Sequence, residues 1–345
     1  MRDPLARLGA WATHALCTSP FTNVYGVARS LLATGTFLTL ALNPTDTLFT
    51  AGSGMAPPPQ CDGFMAVSVY CMTGPEPGRW LSLAVLLTVM AGVFPRWTVI
   101  PHWYVAFSLN ISASVVDGGD QIAAVLTLLL IPVGLCDGRK THWGGPVAAR
   151  ESTGEGELLG GFVGWIALSV IRFQAAAVYF HAGVAKFGVA EWADGTAMYY
   201  WLADPVMGAP AWQRFLVDPV THSGTGVSLL TWAVPLGEIA LAVTLVLPAS
   251  RWRPFLWGAV LFHIGIAVTL GLVSFALTMI ALDIIFLRRV DHSFSRPQWA
   301  EPRGWFRRET AEPALPAQKA VPVQKAVPAQ EKGPTPHEHP PRTRA

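Results

Sequence analysis

Charge is what this sequence has little of. Only 13% of its 345 residues are Asp, Glu, Lys or Arg, against about 25% in an ordinary soluble chain. So few charges cannot cover a water-soluble body of this length, which excludes a nucleic-acid binder, a disordered regulator and a cytosolic enzyme. The net charge is +2, so whole-molecule electrostatics favour no class of partner. Cysteine is scarce as well. Cys17, Cys61, Cys71 and Cys136 are too few for a disulfide scaffold and lack zinc-site spacing, so no metal is expected. There is no Walker-type loop, no Ser–His–Asp order and no zinc-protease helix. Nor is a cleavable signal peptide visible. The first long apolar run starts near Val24, behind a polar, Arg-bearing N-terminus, and reads as a retained signal anchor.

What is there is apolar. Hydrophobic residues make up 52% of the chain, with 14 Trp, 17 Phe and a mean hydropathy of +0.39. This composition predicts an all-α, polytopic membrane helix bundle. A spanning helix needs about 20 mostly apolar residues. Eight segments come near that: 24–42, 80–94, 99–116, 121–135, 159–187, 227–247, 254–270 and 273–287. The expected organisation is a cytoplasmic N-terminal segment over 1–23, a transmembrane domain over 24–290 and a disordered cytoplasmic tail over 291–345. The tail is rich in Pro, Ala and charge, and repeats Gln318-Lys319-Ala320-Val321-Pro322 at Gln324-Lys325-Ala326-Val327-Pro328. Near the other terminus, Leu5, Leu8, Ala12 and Leu16 share a helical face, as in an interfacial helix or a solvated segment with a few apolar residues.

Sidedness follows from Lys and Arg in the short loops. With the N-terminus inside, the cytoplasmic side receives Arg2, Arg7, Arg96, Arg139, Lys140, Arg150, Arg251, Arg253, Arg288 and Arg289, and the outer side only Arg79 and Arg214. Both termini are therefore expected in the cytoplasm. The outer loop 43–79 carries Cys61 and Cys71, which an oxidising exterior would allow either to pair or to remain free thiols. Trp192, Tyr199, Tyr200, Trp201 and Trp212 in the outer loop 188–226 fit an interfacial aromatic belt.

Ionisable groups in hydrocarbon each need a reason, because each costs about 2.5–3.5 kcal/mol on insertion scales. Arg172 and Glu238, read as mid-span on consecutive spans, are expected to pair. Arg29 either pairs with Asp283 or snorkels to the inner interface. Arg172, Tyr179 and Lys186 are spaced by seven and seven, and a step of seven drifts only about 20° on a helix, so they share one stripe. His181 lies on the opposite side, and Ala182 and Gly183 allow a neighbouring helix close. Lys186 comes out near the outer boundary, level with a turn carrying Asp117 and Asp120. Those carboxylates would hold its ammonium, or desolvation would turn it into a base; the alternative is a snorkelling lysine. His181 and His263 lack partners at ligand spacing, and Asn110 with Ser114 reads as an interhelical hydrogen-bonding pair.

The segment Gln174-Ala175-Ala176-Ala177-Val178-Tyr179-Phe180-His181-Ala182-Gly183-Val184-Ala185-Lys186, followed by Glu191-Trp192-Ala193-Asp194-Gly195, resembles the membrane domain of vitamin K-dependent gamma-carboxylases. That domain belongs to the horizontally transferred transmembrane (HTTM) superfamily. Gly118-Gly119-Asp120, the Glu238 span and Phe262-His263 with Gly271-Leu272-Val273-Ser274-Phe275 extend the likeness over residues 20–290. The length and the cysteine-bearing first loop look most like the SdpB (sporulation-delaying protein B) branch. The resemblance implies a multi-pass protein of the bacterial cytoplasmic membrane that matures an exported, bacteriocin-like peptide toxin. Its partners would be membrane lipid, a small SdpA-like protein and the secreted precursor, with no nucleic acid. It also implies Lys186 as a base and a quinone or quinol as a possible cofactor; on the spacing above, Arg172, Tyr179 and Glu238 would support that base and Asp117 and Asp120 would tune it. Ala185 stands where the carboxylases have a second lysine, and Gly-Gly-Asp replaces their Asn-Asn-His, which separates this chain from glutamate carboxylation. Three readings stand: a peptide-maturing enzyme or enzyme subunit, a non-enzymatic immunity or export factor, and a quinone-linked redox protein.

Overall fold

The computed structural model describes residues 4–51, 59–144 and 154–294. Among them every regular element is helical, and the one isolated bridge is antiparallel, Val93 to Thr141. The helices that build the bundle are α1 (Pro4–Cys17), α2 (Asn23–Leu42), α3 (Pro75–Met90), α4 (Pro95–Ser112), α5 (Gly118–Leu129), α6 (Ile131–Cys136), α7 (Glu155–Lys186), α8 (Gly224–Val243), α9 (Trp252–Leu270) and α10 (Val273–Leu287). All eight expected segments are therefore largely helical. Five stretches are long and apolar enough to cross a membrane: Asn23–Leu42, Gly118–Cys136, Glu155–Lys186, Gly224–Val246 and Ala249–Leu270. The chain is a membrane protein whose described residues form helices and no strand.

Local chemistry sets the boundaries. Thr22 caps α2, its Oγ1 accepting from Val24 N, and Ser223 caps α8 through Gly226 N. Pro75 and Pro95 open α3 and α4, where a missing N–H costs nothing. Gly271, at φ +72°, ends α9 in the left-handed conformation that favours glycine.

Helix α10 is too short for the spanning set, yet Ala281 through Leu287 are all buried. It packs among α2, α5, α7 and α9, so its apolar run meets protein. Gly35 of α2 lies against Ser274 O, and Gly119 lies so near α10 that a Cβ there would stand 2.7 Å from Phe275 Cα. At one end of the bundle, Arg139 reaches Thr22 O, Arg96 reaches Leu135 O, Phe94 N donates to Lys140 O, and Thr22 Oγ1 donates to Val290 O. At the other end, Arg79 donates to the α2 carbonyls Leu40 O and Ala41 O.

Two expected boundaries shift. The N-terminal helix α1 packs on α7 through Trp11, whose ring lies 5.9 Å from Phe162, and through buried Ala15, while Leu16 is exposed. The packed face is thus not the predicted one; the Leu5 and Leu8 side chains lie outside the described residues. The fold also continues past residue 290. Asn23 Nδ2 donates to Phe294 O at 2.9 Å, and Phe294 N donates back to Asn23 Oδ1 at 2.7 Å. The rest of the expected tail, including its near-repeat, lies outside the described residues.

Candidate functional site

The seven-residue stripe sits on α7, and each of its three polar members meets a different group of neighbours. At 1.5 Å per residue, Arg172 and Lys186 lie roughly 21 Å apart along the helix axis.

Arg172 does not pair with Glu238. Its Nε donates to Ile285 O at 3.1 Å and its Nη2 to Arg288 O at 2.8 Å. Its guanidinium lies 4.6 Å from the Trp252 ring centroid. These carbonyls belong to the C-terminal end of α10, where they lack intrahelical donors and attract a cation. Arg172 is therefore a cap on α10, far below the level of Glu238.

Tyr179, one stripe step on, is fully buried. Its hydroxyl donates to Asp283 Oδ1 at 2.5 Å and lies 3.1 Å from His263 Nε2. Because the phenol has a single proton and gives it to Asp283, Nε2 must carry the hydrogen that Tyr179 accepts. His263 Nε2 also lies 3.4 Å from Asp283 Oδ2. This Tyr–His–Asp cluster joins α7, α9 and α10. The expected Arg29–Asp283 pair does not form; Asp283 is held by Tyr179. Arg29 is buried rather than snorkelling, and its Nη2 donates to Thr98 Oγ1.

Lys186 holds the carboxylate that had been expected on Arg172. Its Nζ lies 2.8 Å from both Glu238 oxygens and 3.2 Å from Ala182 O, with the Trp192 ring centroid 5.5 Å away. Gly183 makes this approach possible. A Cβ at that position would stand 2.8 Å from Pro235 O and from Ile239 Cγ1, so only glycine lets α8 this close to α7. Neither side chain is fully sealed: Lys186 keeps 23% of its surface and Glu238 11%.

Asp117 and Asp120 do not serve Lys186. They form a capping box on α5: Asp117 Oδ1 accepts from Asp120 N at 2.8 Å, and Asp117 N donates to Asp120 Oδ2 at 3.4 Å. Gly118-Gly119-Asp120 is thus a helix start and a glycine contact with α10. Cys61 and Cys71 are joined in a disulfide. Ser114 Oγ donates to Thr50 O, whereas Asn110 Oδ1 has no hydrogen-bond partner among the described residues. His181 is exposed, on the face away from Tyr179.

Between α8 and α9 lies a cavity of about 400 Å³, lined among others by Gly237, Leu241, Phe255, Gly258 and Phe262. Among the described residues, Glu238 is the one charged member of its lining. The carboxylate therefore meets Lys186 and borders an apolar space. Sequence reasoning missed His263 and Asp283 as partners of Tyr179. The available signal was three ionisable residues on three apolar helices, each in need of a partner.

Comparison with known proteins gives two relatives, both from Bacillus subtilis (strain 168). The chain is 38% identical over 278 residues to the uncharacterized protein YitO, covering 79% of this chain and 87% of YitO. It is 34% identical over 289 residues to the sporulation-delaying protein SdpB, covering 82% of this chain and 86% of SdpB. No family model matches, and no solved structure matches.

Proposed function

The chain belongs to the family of the sporulation-delaying protein SdpB, and from that premise we propose that it matures or modifies an exported peptide at the outer boundary of the bacterial cytoplasmic membrane. Lys186 acts as the base. The proposal takes all eight helical segments as spans, with both termini cytoplasmic, in an arrangement of the HTTM kind. A small SdpA-like protein and the peptide precursor are its partners.

One observation carries this reading: Lys186 sits on Glu238, and Glu238 lines an apolar cavity. A carboxylate that accepts the ammonium's proton leaves a neutral amine with a free lone pair. That lone pair takes a proton from the substrate, and Glu238 then returns the proton it received to the outer face. Tyr179, His263 and Asp283 lie deeper and fix α7 against α9 and α10, so their part is to hold the stripe in register.

The test is the mass and activity of the exported peptide from cells expressing Lys186→Arg. Arginine keeps the charge on Glu238 but does not release a proton near neutral pH. An unprocessed peptide, with the protein at normal abundance, supports the base. A peptide of unchanged mass and activity removes it.

The satisfied Lys186–Glu238 pair also favours a second reading, an immunity or export factor in which the pair only binds helices together. That reading expects the protein, expressed alone in sensitive cells, to protect them, and Lys186→Arg to retain the protection.

A further inference from the structure

A second polar cluster lies at the end of the bundle that gathers Thr22, Arg96, Arg139 and Val290. Arg29 of α2 is entirely buried, and among the described residues its Nε and Nη1 have no hydrogen-bond partner. Three other buried groups around it are also unpartnered at one polar atom: Tyr25 Oη, His102 Nε2 and His142 Nδ1. Tyr25 and Arg29 share a face of α2 at i and i+4, as Thr98 and His102 do on α4. The Tyr25 and His142 rings meet edge-on, with centroids 6.4 Å apart. His142 is seated by two glycines: a Cβ at Gly26 would stand 2.5 Å from His142 O, and one at Gly92 2.6 Å from its Nε2. Its own Nε2 lies 3.1 Å from Ser30 Oγ.

The guanidinium cannot shed its charge. No carboxylate among the described residues lies within ion-pair distance of it. A buried cation without a counter-charge is the costliest arrangement a fold can keep. The open valences here are guanidinium N–H groups, a phenol O–H and imidazole nitrogens. The guanidinium N–H groups and the phenol O–H donate; Ser30 Oγ gives its proton to Met90 O, so His142 Nε2 carries the ring hydrogen and its Nδ1 keeps a lone pair. What fits among the donors is a compact group with several acceptor oxygens and negative charge.

We propose that Arg29, with Tyr25 and His102, forms a binding site for a phosphate-type oxyanion, independent of the Lys186 site. Two sources share this chemistry, a free phosphate and the headgroup of an anionic lipid. The anion supplies the missing counter-charge and locks α2 to α4.

The full-length protein, stripped of lipid in a neutral detergent, is titrated in separate arms with inorganic phosphate and with phosphatidylglycerol in mixed micelles. Sodium chloride at matched ionic strength is the control, and thermal unfolding with native mass spectrometry is the readout. A saturable rise in unfolding temperature with phosphate alone assigns the free anion. A rise with phosphatidylglycerol alone, accompanied by a lipid-sized adduct, assigns the headgroup, and a rise with both assigns the shared chemistry. Arg29→Gln is expected to abolish the response. Tyr25→Phe, which keeps the ring and the fold, is expected to weaken apparent affinity about tenfold through one lost hydrogen bond to a charged group. No rise beyond the chloride control in either arm overturns the site. So does a response that Tyr25→Phe leaves unchanged together with one that Arg29→Gln retains.

Discussion

The Lys186–Glu238 pair holds α7 to α8, and its energetics can be separated from any chemistry by a double-mutant cycle. Lys186→Met leaves Glu238 facing an apolar cavity without its ammonium, and Glu238→Met leaves Lys186 without its carboxylate. Removing one partner of a fully buried ion pair costs about 3–5 kcal/mol. Lys186 keeps 23% of its side-chain surface and Glu238 11%, so water recovers part of this, and about 2–3 kcal/mol per single change is expected. The double variant removes both charges and fills the space with flexible apolar side chains. It is expected within about 1 kcal/mol of wild type, because a well-packed apolar replacement of an ion pair is often neutral. The signature is a coupling energy of several kcal/mol, opposite in sign to the summed single effects. Apparent unfolding temperature of the detergent-solubilised protein at fixed scan rate is the assay, with drops of the order of 5 °C for the singles and near-recovery for the double. Single variants close to wild type, or a double variant equal to the sum of both, would show that the 2.8 Å geometry carries no coupling.

Other consequences follow from the same geometry. Gly183→Ala forces a Cβ to within 2.8 Å of Pro235 O, so α8 must withdraw; a loss of about 1–3 kcal/mol is expected from thermal unfolding, and a neutral result would refute the close approach. Tyr179→Phe deprives buried Asp283 of its 2.5 Å donor and should cost about 1–3 kcal/mol, with His263→Phe failing to add its full effect on top. Arg172→Lys loses the planar fork on Ile285 O and Arg288 O and should lower membrane abundance measurably, by about 1–2 kcal/mol of stability. His142 predicts a pH dependence. Burial, and then the charges of Arg29 and Arg139, push its imidazole down to about 3, with Tyr25 and His102 also facing this cluster. A depressed folded value means that the unfolded chain binds the extra proton first. Stability is therefore complete above about 6.5 and falls as the pH drops from there toward about 3. His142→Gln should flatten that fall; an unchanged pH profile would count against it.

Much of the bundle was legible because helix periodicity and apolarity are local properties. The seven-residue spacing of Arg172, Tyr179 and Lys186 put them on one stripe, and the small pair Ala182-Gly183 marked the contact with α8. Partner choice was not legible, and depth explains why. Counting from the ends of 159–187 placed Arg172 near mid-span, level with Glu238. The helix runs from Glu155 to Lys186, and its first turns lie beside α1, so Arg172 meets the end of α10 and Glu238 meets Lys186 instead. Asp117 and Asp120 misled for another reason. A carboxylate next to glycine at a helix start has an N-cap to fill before it can serve a distant ammonium. The shortness of α10 hid its position as well, since a 15-residue apolar helix can be a thin span or a buried core element, and composition does not separate the two.

The three stripe contacts together explain why the cavity lies where it does. Arg172 fixes α7 to the end of α10, and Tyr179 fixes it to α9 and α10 in the middle. Above them Lys186 and Gly183 fix it to α8. α8 and α9 are thus each tied to α7, at different levels of one stripe, while the space between them stays open. Pro235 sits inside α8 just before Glu238 and frees the carbonyl of Thr231 from its helical bond. Thr231 in turn accepts from Met198 N through its hydroxyl at 3.1 Å, which ties this stretch of α8 to the short helix Ala197–Ala203. A ligand entering between α8 and α9 therefore meets an apolar wall with a single charged group, Glu238, and behind it the amine. Tightening that wall without touching the pair separates access from chemistry. Gly258→Leu on α9 adds a side chain where open space now lies, away from Lys186. If the cavity admits the substrate, this variant should remain folded, keep the Lys186–Glu238 coupling in the cycle above and lose peptide processing. Undiminished processing with the cavity filled would mean that the substrate reaches Lys186 by another route.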